Sequence, residues 1–170
     1  MMDFPEEQVA FAGLAGPLRL EDVLFAARKS NRIAPLQVVR ADRVVGADHV
    51  RSAAAHAQRA FRESRAQAET LEVEFLRYLA GERQIKRALD KMGLPEGAEG
   101  GLVVALGPKR VDAVRHFVHS LGLREDDGLV AATQERLRAF GITPAQLAAT
   151  TPARRLDLAL EAVAAVDLMK

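Results

Sequence analysis

The stretch "GLVVALG", Gly101–Gly107, is an unbroken apolar run between two glycines. A strand with one wet face alternates apolar and polar residues, whereas a strand covered on both faces does not. Leu102 to Leu106 therefore predict the middle of a sheet with helices on each side. The flanking segments supply such helices. Downstream, "PKRVDAVRHFVHSLG" puts Val111, Val114, Phe117, Val118 and Leu121 on one helical stripe that Gly122 caps. Upstream, "LPEGAEGG" reads as a flexible turn.

Further towards the N-terminus, "VAFAG", Val9–Gly13, is a second strand, short and ended by glycine. In "LEDVLFAARKS", Leu20, Val23, Leu24 and Ala27 recur at helical spacing, and basic residues close the last turn. "APLQVVRADRVVG" carries paired β-branched residues and predicts one strand or two short ones. Asp48 is the expected N-cap of a helix from His49 to about Arg65, with an apolar stripe of Val50, Ala53, Ala54, Ala57, Ala60 and Phe61. A stripe of alanines allows a neighbour to approach closely. "SRAQAET" is a polar loop. Leu71, Phe75, Tyr78 and Leu79 mark the next helix, Gly81 its cap, and Ile85, Ala88, Leu89 and Met92 the stripe of another ending at Gly93. The remainder reads as helices, two of them opened by Thr143–Pro144 and Thr151–Pro152. The expected fold is α/β of the α+β kind: about three to four strands in a small central sheet, flanked by six to seven helices. The 170 residues suit a single domain over 1–170, with only "REDDG", Arg124–Gly128, resembling a boundary.

Composition narrows the function. The chain has no cysteine, so disulfides, thiolate catalysis and cysteine zinc sites are excluded. Its net charge of +1 implies that any nucleic-acid contact is a local patch. The opening "MMDFPEEQVAFAG" lacks the basic-then-apolar order of a secretory signal, and no run reaches the ~18 apolar residues of a membrane span. A cytoplasmic protein is expected. "GAEGGLVVALGPKR" is not a phosphate loop, because its glycines precede a strand. His116 and His119 share a helix face without a third ligand in sequence, and His49 and His56 stand on another helix. The acidic pairs Glu72/Glu74 and Asp126/Asp127 lack the spacing of a shared pocket. No catalytic constellation, metal site or cofactor motif emerges, and a non-enzyme is expected.

The segment "EFLRYLAGERQIKRALDKMG", Glu74–Gly93, is more informative. If Gly81 breaks the helix, the first turn of the next one presents free N–H groups and a positive dipole end beside Arg83 and Gln84. That corner reads as an anion-binding surface. It also reads as an ordinary charged face with Glu82 and Lys86 paired four residues apart.

The same segment resembles the signature of the Cgi-type accessory subunit of the KEOPS complex, the family of p53-related-kinase-binding proteins. The matching residues are Glu74, Leu76, Tyr78, Ala80, Arg83, Gln84, Ile85, Ala88 and Leu89, with His49, Val50 and Ala53 upstream. The good match covers Leu36 to Gly93. The resemblance implies a small sheet flanked by helices and no catalysis. It implies two direct partners, the kinase-like ATPase subunit of KEOPS and the 3′ CCA end of tRNA. The threonylcarbamoyl transferase subunit, which makes N6-threonylcarbamoyladenosine, would be an indirect third. On this resemblance Arg83, Gln84 and Ile85 form the tRNA-end site, and Lys86 and Arg65 extend it. The closing helix, with Leu156, Leu160, Val163 and Leu168, and the alanine-rich helix are kinase-binding faces or core stripes. Two other readings stand beside this one. In a scaffold that binds a kinase and no RNA, Ile85 is buried and Arg83 salt-bridged inside. A metal-dependent enzyme would use the His116/His119 face.

Overall fold

The apolar run around Val104 is the central strand of the sheet. The computed structural model describes residues 8–126 and 131–169. β3 (Ala98–Leu106) lies between β1 (Val9–Leu18) and β2 (Leu36–Arg40) and is antiparallel to both. Phe11 and Gln37 oppose Val104 from the two sides. Successive β3 side chains alternate between faces. Leu102, Val104 and Leu106 join Val39 under α2 (Ala47–Arg62), α3 (Leu71–Ala80), α4 (Ile85–Met92) and α8 (Arg155–Ala165). Val103 and Ala105 join Ala12 and Leu36 under α1 (Leu20–Ser30) and α5 (Arg110–Leu121). A smaller cluster packs α6 (Gln134–Phe140) and α7 (Pro144–Ala149) on α8 through Leu137, Phe140, Leu147 and Ala159, with Val45 beneath. Each fully buried Leu or Val contributes about 1.5–3 kcal/mol, so a charge at Val104 would break the sheet. The α+β class and the three-stranded sheet agree with expectation. The α-helices number eight among the described residues.

Several boundaries depart from the sequence reading, each for a local reason. β1 continues past Gly13 to Leu18. A Cβ at Gly16 would sit 2.2 Å from the Ala98 carbonyl oxygen, so glycine is what lets the strands close there. β2 ends at Arg40, whose guanidinium grips Asp42 at 2.7 and 2.9 Å; Val44 and Val45 are buried in the loop that follows. Gly46 (φ 86°) is the N-cap of α2, leaving Asp48 in its first turn. Ser64 turns into the left-handed region (φ 56°), and α2 stops at Arg62. Arg65 therefore stands in a loop, its N–H on the Ala60 carbonyl. Leu24 and Val111, expected inside, are 47% and 45% exposed. Glu125 bridges to Leu14 and the Asp126 N–H donates to the Gly13 carbonyl, so the described start of "REDDG" lies against the edge of β1. Asp127, Gly128 and residues 1–7 lie outside the described residues. His116 bonds the Ser30 hydroxyl at 2.9 Å, and among the described residues no three His, Asp or Glu side chains are placed to hold a metal ion. No described helix is long and apolar enough to cross a membrane.

Candidate nucleic-acid interface

The site begins with α3. Every residue from Glu74 to Ala80 is buried, between the alanine stripe of α2 and the sheet. The last four carbonyls of such a helix have no partner within it and cannot reach water here. All four are met. Glu82 N–H bonds Arg77 and Gly81 N–H bonds Tyr78, with Gly81 left-handed at φ 68°. His49 Nε2 donates to the Leu79 carbonyl at 2.8 Å, and Lys91 Nζ to that of Ala80 at 2.8 Å. The other ring nitrogen of His49 accepts the Val45 N–H at 2.9 Å, which fixes the tautomer. Burial pushes the His49 imidazole down to about 4, against the opposing effect of its bond to Leu79; the Lys91 charge pushes it down further. His49 is thus a neutral staple between the start of α2 and the end of α3.

The chain leaves this fixed end as an exposed corner. Gln84 caps α4 with its backbone alone, and its side chain is free of any cap bond. Arg83, Gln84, Ile85 and Lys86 are exposed, Ile85 at 37%. No ion pair joins Glu82 to Lys86 among the described residues, and none neutralises Arg83. Beneath the corner lies the Glu74–Arg77 ion pair (2.6 Å), with side chains 0% and 3% exposed. Arg77 Nε donates to the Arg83 carbonyl at 2.6 Å. Glu74 accepts the N–H groups of Gln67 and Ala68.

A cleft of about 360 Å³ opens beside the corner, lined by Arg65, Arg77, Tyr78, Arg83 and Asp167 among others. Asp167 sits on the 3-10 turn Val166–Leu168 that follows α8. Its carboxylate accepts the Tyr78 hydroxyl, His56 Nδ1 at 3.0 Å and Arg65 Nη1 at 3.3 Å. Burial works against the charged form of Asp167, but these hydrogen bonds prevail and hold its carboxyl below the usual range. Burial first, then the bond to Asp167, pushes the Tyr78 phenol up, so it stays a donor. The His56 ring stacks on Tyr78 with centroids 5.4 Å apart.

Of the five residues expected to touch RNA, the cleft brings Arg65 and Arg83 together. Gln84, Ile85 and Lys86 stand on the rim-side corner, outside the lining. Arg65 is already engaged, by Glu63 at 2.7 Å and by Asp167. Sequence reasoning missed Asp167, Tyr78 and His56 as members of the site. Asp167 is 89 residues from Tyr78 and 111 from His56, and no local pattern links them. It also missed Glu74 and Arg77, whose signal was available: two opposite charges three apart among the apolar residues Phe75, Leu76, Leu79 and Ala80. The proposed kinase stripes resolve mostly to core. Ala53, Ala54, Ala57, Ala60 and Val163 are buried, Leu156 and Leu160 half-buried, and only Leu168 is fully open. Leu24 and Phe25 of α1 are exposed instead, with Lys29 Nζ 4.4 Å above the Phe25 ring.

Residues 19–145 match a family model described as kinase binding protein CGI-121. The match spans α1 to the start of α7 and includes the corner; Asp167 falls outside it. No curated protein matches the chain.

Proposed function

The chain belongs to the CGI-121 family of kinase binding proteins, and from that premise we propose that it is a non-catalytic subunit of the KEOPS tRNA-modification complex. It binds the kinase-like ATPase subunit with one face and the 3′ CCA end of tRNA with another. The observation that carries the RNA half is the exposed, unneutralised Arg83 beside a cleft that also holds Arg65. An unstacked RNA end needs cations for phosphate, hydrogen-bonding groups for base edges, and an apolar platform. Arg83 and Lys86 are the cations, Gln84 the hydrogen-bonding group and Ile85 the platform. Arg65 is a reserve cation, held by Glu63 and Asp167, that must exchange one of these carboxylates for phosphate. Holding one end of the tRNA raises the effective concentration of its other parts at the distant transferase subunit, so this chain needs no chemistry of its own.

The kinase half needs exposed apolar area. Leu24 and Phe25 offer it on the sheet face opposite α3 and α4, so the two partners do not compete. The test is binding of intact tRNA and tRNA trimmed of its CCA end at one fixed salt concentration. Trimming should abolish most binding, and Arg83→Glu should weaken intact tRNA by about 10- to 100-fold, the worth of one charge-assisted hydrogen bond. Equal binding of both RNAs would defeat the end-specific reading. A second reading, a kinase scaffold that binds no RNA, is favoured by the double ion-pairing of Arg65, although its expected buried Ile85 and salt-bridged Arg83 are not found: Ile85 is 37% exposed and Arg83 has no ion pair among the described residues. It requires kinase binding to survive while both RNAs fail to bind.

A further inference from the structure

We propose that the buried Glu74–Arg77 ion pair is the positioning device of this site, holding the loop of Arg65 and the corner of Arg83 in one fixed relation. The RNA part of this inference rests on the function proposed above; the geometric part does not. Three observations carry it. The pair is almost wholly shut off from water in the stretch of α3 from Glu74 to Ala80 that is buried throughout. Each partner also hydrogen-bonds backbone outside that helix. Glu74 Oε2 accepts Gln67 N–H at 3.2 Å and Ala68 N–H at 2.9 Å, on the segment that begins two residues after Arg65. Arg77 Nε donates to the carbonyl of Arg83 itself at 2.6 Å. The two segments are thereby joined through one charge pair, and they meet as walls of the same cleft.

Stability alone does not account for such a pair. Burying two charges carries a desolvation cost that their attraction only roughly offsets, and well-packed apolar side chains serve as well or better. What apolar side chains cannot do is accept two loop N–H groups and donate to a corner carbonyl. Two cationic arms of a site for a flexible strand must be held at a set spacing for both to meet the ligand together. Glu74 and Arg77 do this from beneath the corner: Glu74 is shut off from the surface, and Arg77 closes the cleft from below with a side chain 3% exposed. They are positioning residues.

The chain contains no cysteine, so spin labels on Gln67→Cys and Gln84→Cys, both exposed positions, report the loop-to-corner distance in the full-length protein. With the pair intact, one narrow distance distribution is expected. In the Glu74→Leu/Arg77→Met background the helices should persist by circular dichroism while the distribution broadens. The same replacement, unlabelled, should lower affinity for intact tRNA by about tenfold or more. A folded double variant with an unchanged narrow distribution overturns the proposal. Broadening with unchanged RNA affinity supports the positioning role and counts instead against the cleft as the RNA site. Should the double replacement fail to fold, Glu74→Gln, which keeps the side-chain shape and removes the charge, carries the same distance test with the same outcomes.

Discussion

Mild acid should loosen this fold through His49. Its imidazole is neutral because both ring nitrogens are committed, one accepting from Val45 and one donating to Leu79, with no water in reach. Protonation would put a second donor against the Val45 N–H, close to Lys91. The folded value of about 4 lies below the 6.5 of a free imidazole, so the unfolded chain takes up the proton first. Stability linked to His49 is therefore complete above about pH 6.5 and is lost as pH falls towards 4. A shift of this size corresponds to about 3 kcal/mol in full, of which about 2 kcal/mol is gone by about pH 5. That is a large part of the 5–15 kcal/mol typical of a domain. Asp167, whose value is depressed, acts in a separate window. Its contribution holds above the ordinary aspartate range near 3.9 and is lost only below it.

The assay is urea unfolding followed by circular dichroism between about pH 7 and 5, since the chain has no Trp to report by fluorescence. His49→Gln is the control. It is less stable throughout, but its stability should change with pH by about 2 kcal/mol less than that of the parent over this range. Parallel pH dependences for the two proteins would refute the reasoning, as would an imidazole that titrates near 6.5 in the folded chain.

The other predictions concern the two surfaces. Ile85→Glu should leave the unfolding midpoint within about 0.5 kcal/mol of the parent, because the side chain is exposed, yet weaken tRNA binding; a large loss of stability would mark Ile85 as core. Asp167→Asn should remove one of the two carboxylate charges on Arg65, leaving Glu63, and raise tRNA affinity a few-fold, measured by filter binding at low salt; weaker binding would mean Asp167 orients Arg65 for the ligand. Leu24→Asp with Phe25→Asp should abolish capture of the kinase-like subunit while leaving tRNA binding and melting temperature intact, and retained capture would remove α1 from the interface.

How much of this was legible in sequence depends on the range of the interactions. β3 was legible because its cover on both faces leaves no polar residue from Leu102 to Leu106. The breaks at Gly81 and Gly122 were legible because a left-handed cap has a local cause. β1 beyond Gly13 was not, since Gly16 and Pro17 look like punctuation until Ala98 is seen to press on the backbone there. Leu24 fits a helical stripe, yet the burial needed for that stripe is taken by Val23, Ala26 and Ser30, and periodicity alone does not fix the direction of a face. In the site, Arg83, Gln84, Ile85 and Lys86 form one consecutive turn and could be read together. The partners that set their geometry come from distant segments, and for those the sequence holds no period.

A helix almost wholly sealed from solvent can display little along its length, and α3 is such a helix from Glu74 onward, with Arg77 and Tyr78 reaching the cleft wall. Most of what it contributes to the site comes through its ends and through the backbone it holds. At its C-terminus His49 and Lys91 close the last carbonyls, so the direction in which Gly81 releases the chain is determined by the core. At its centre Glu74 and Arg77 reach out to the two segments that bear Arg65 and Arg83. The exposed corner therefore moves only if the interior moves with it. Under the proposed function, this is how a chain of net charge +1 would hold a polyanionic ligand. A few cations held at fixed separation act on one ligand together, whereas the same charges on free loops would act one at a time.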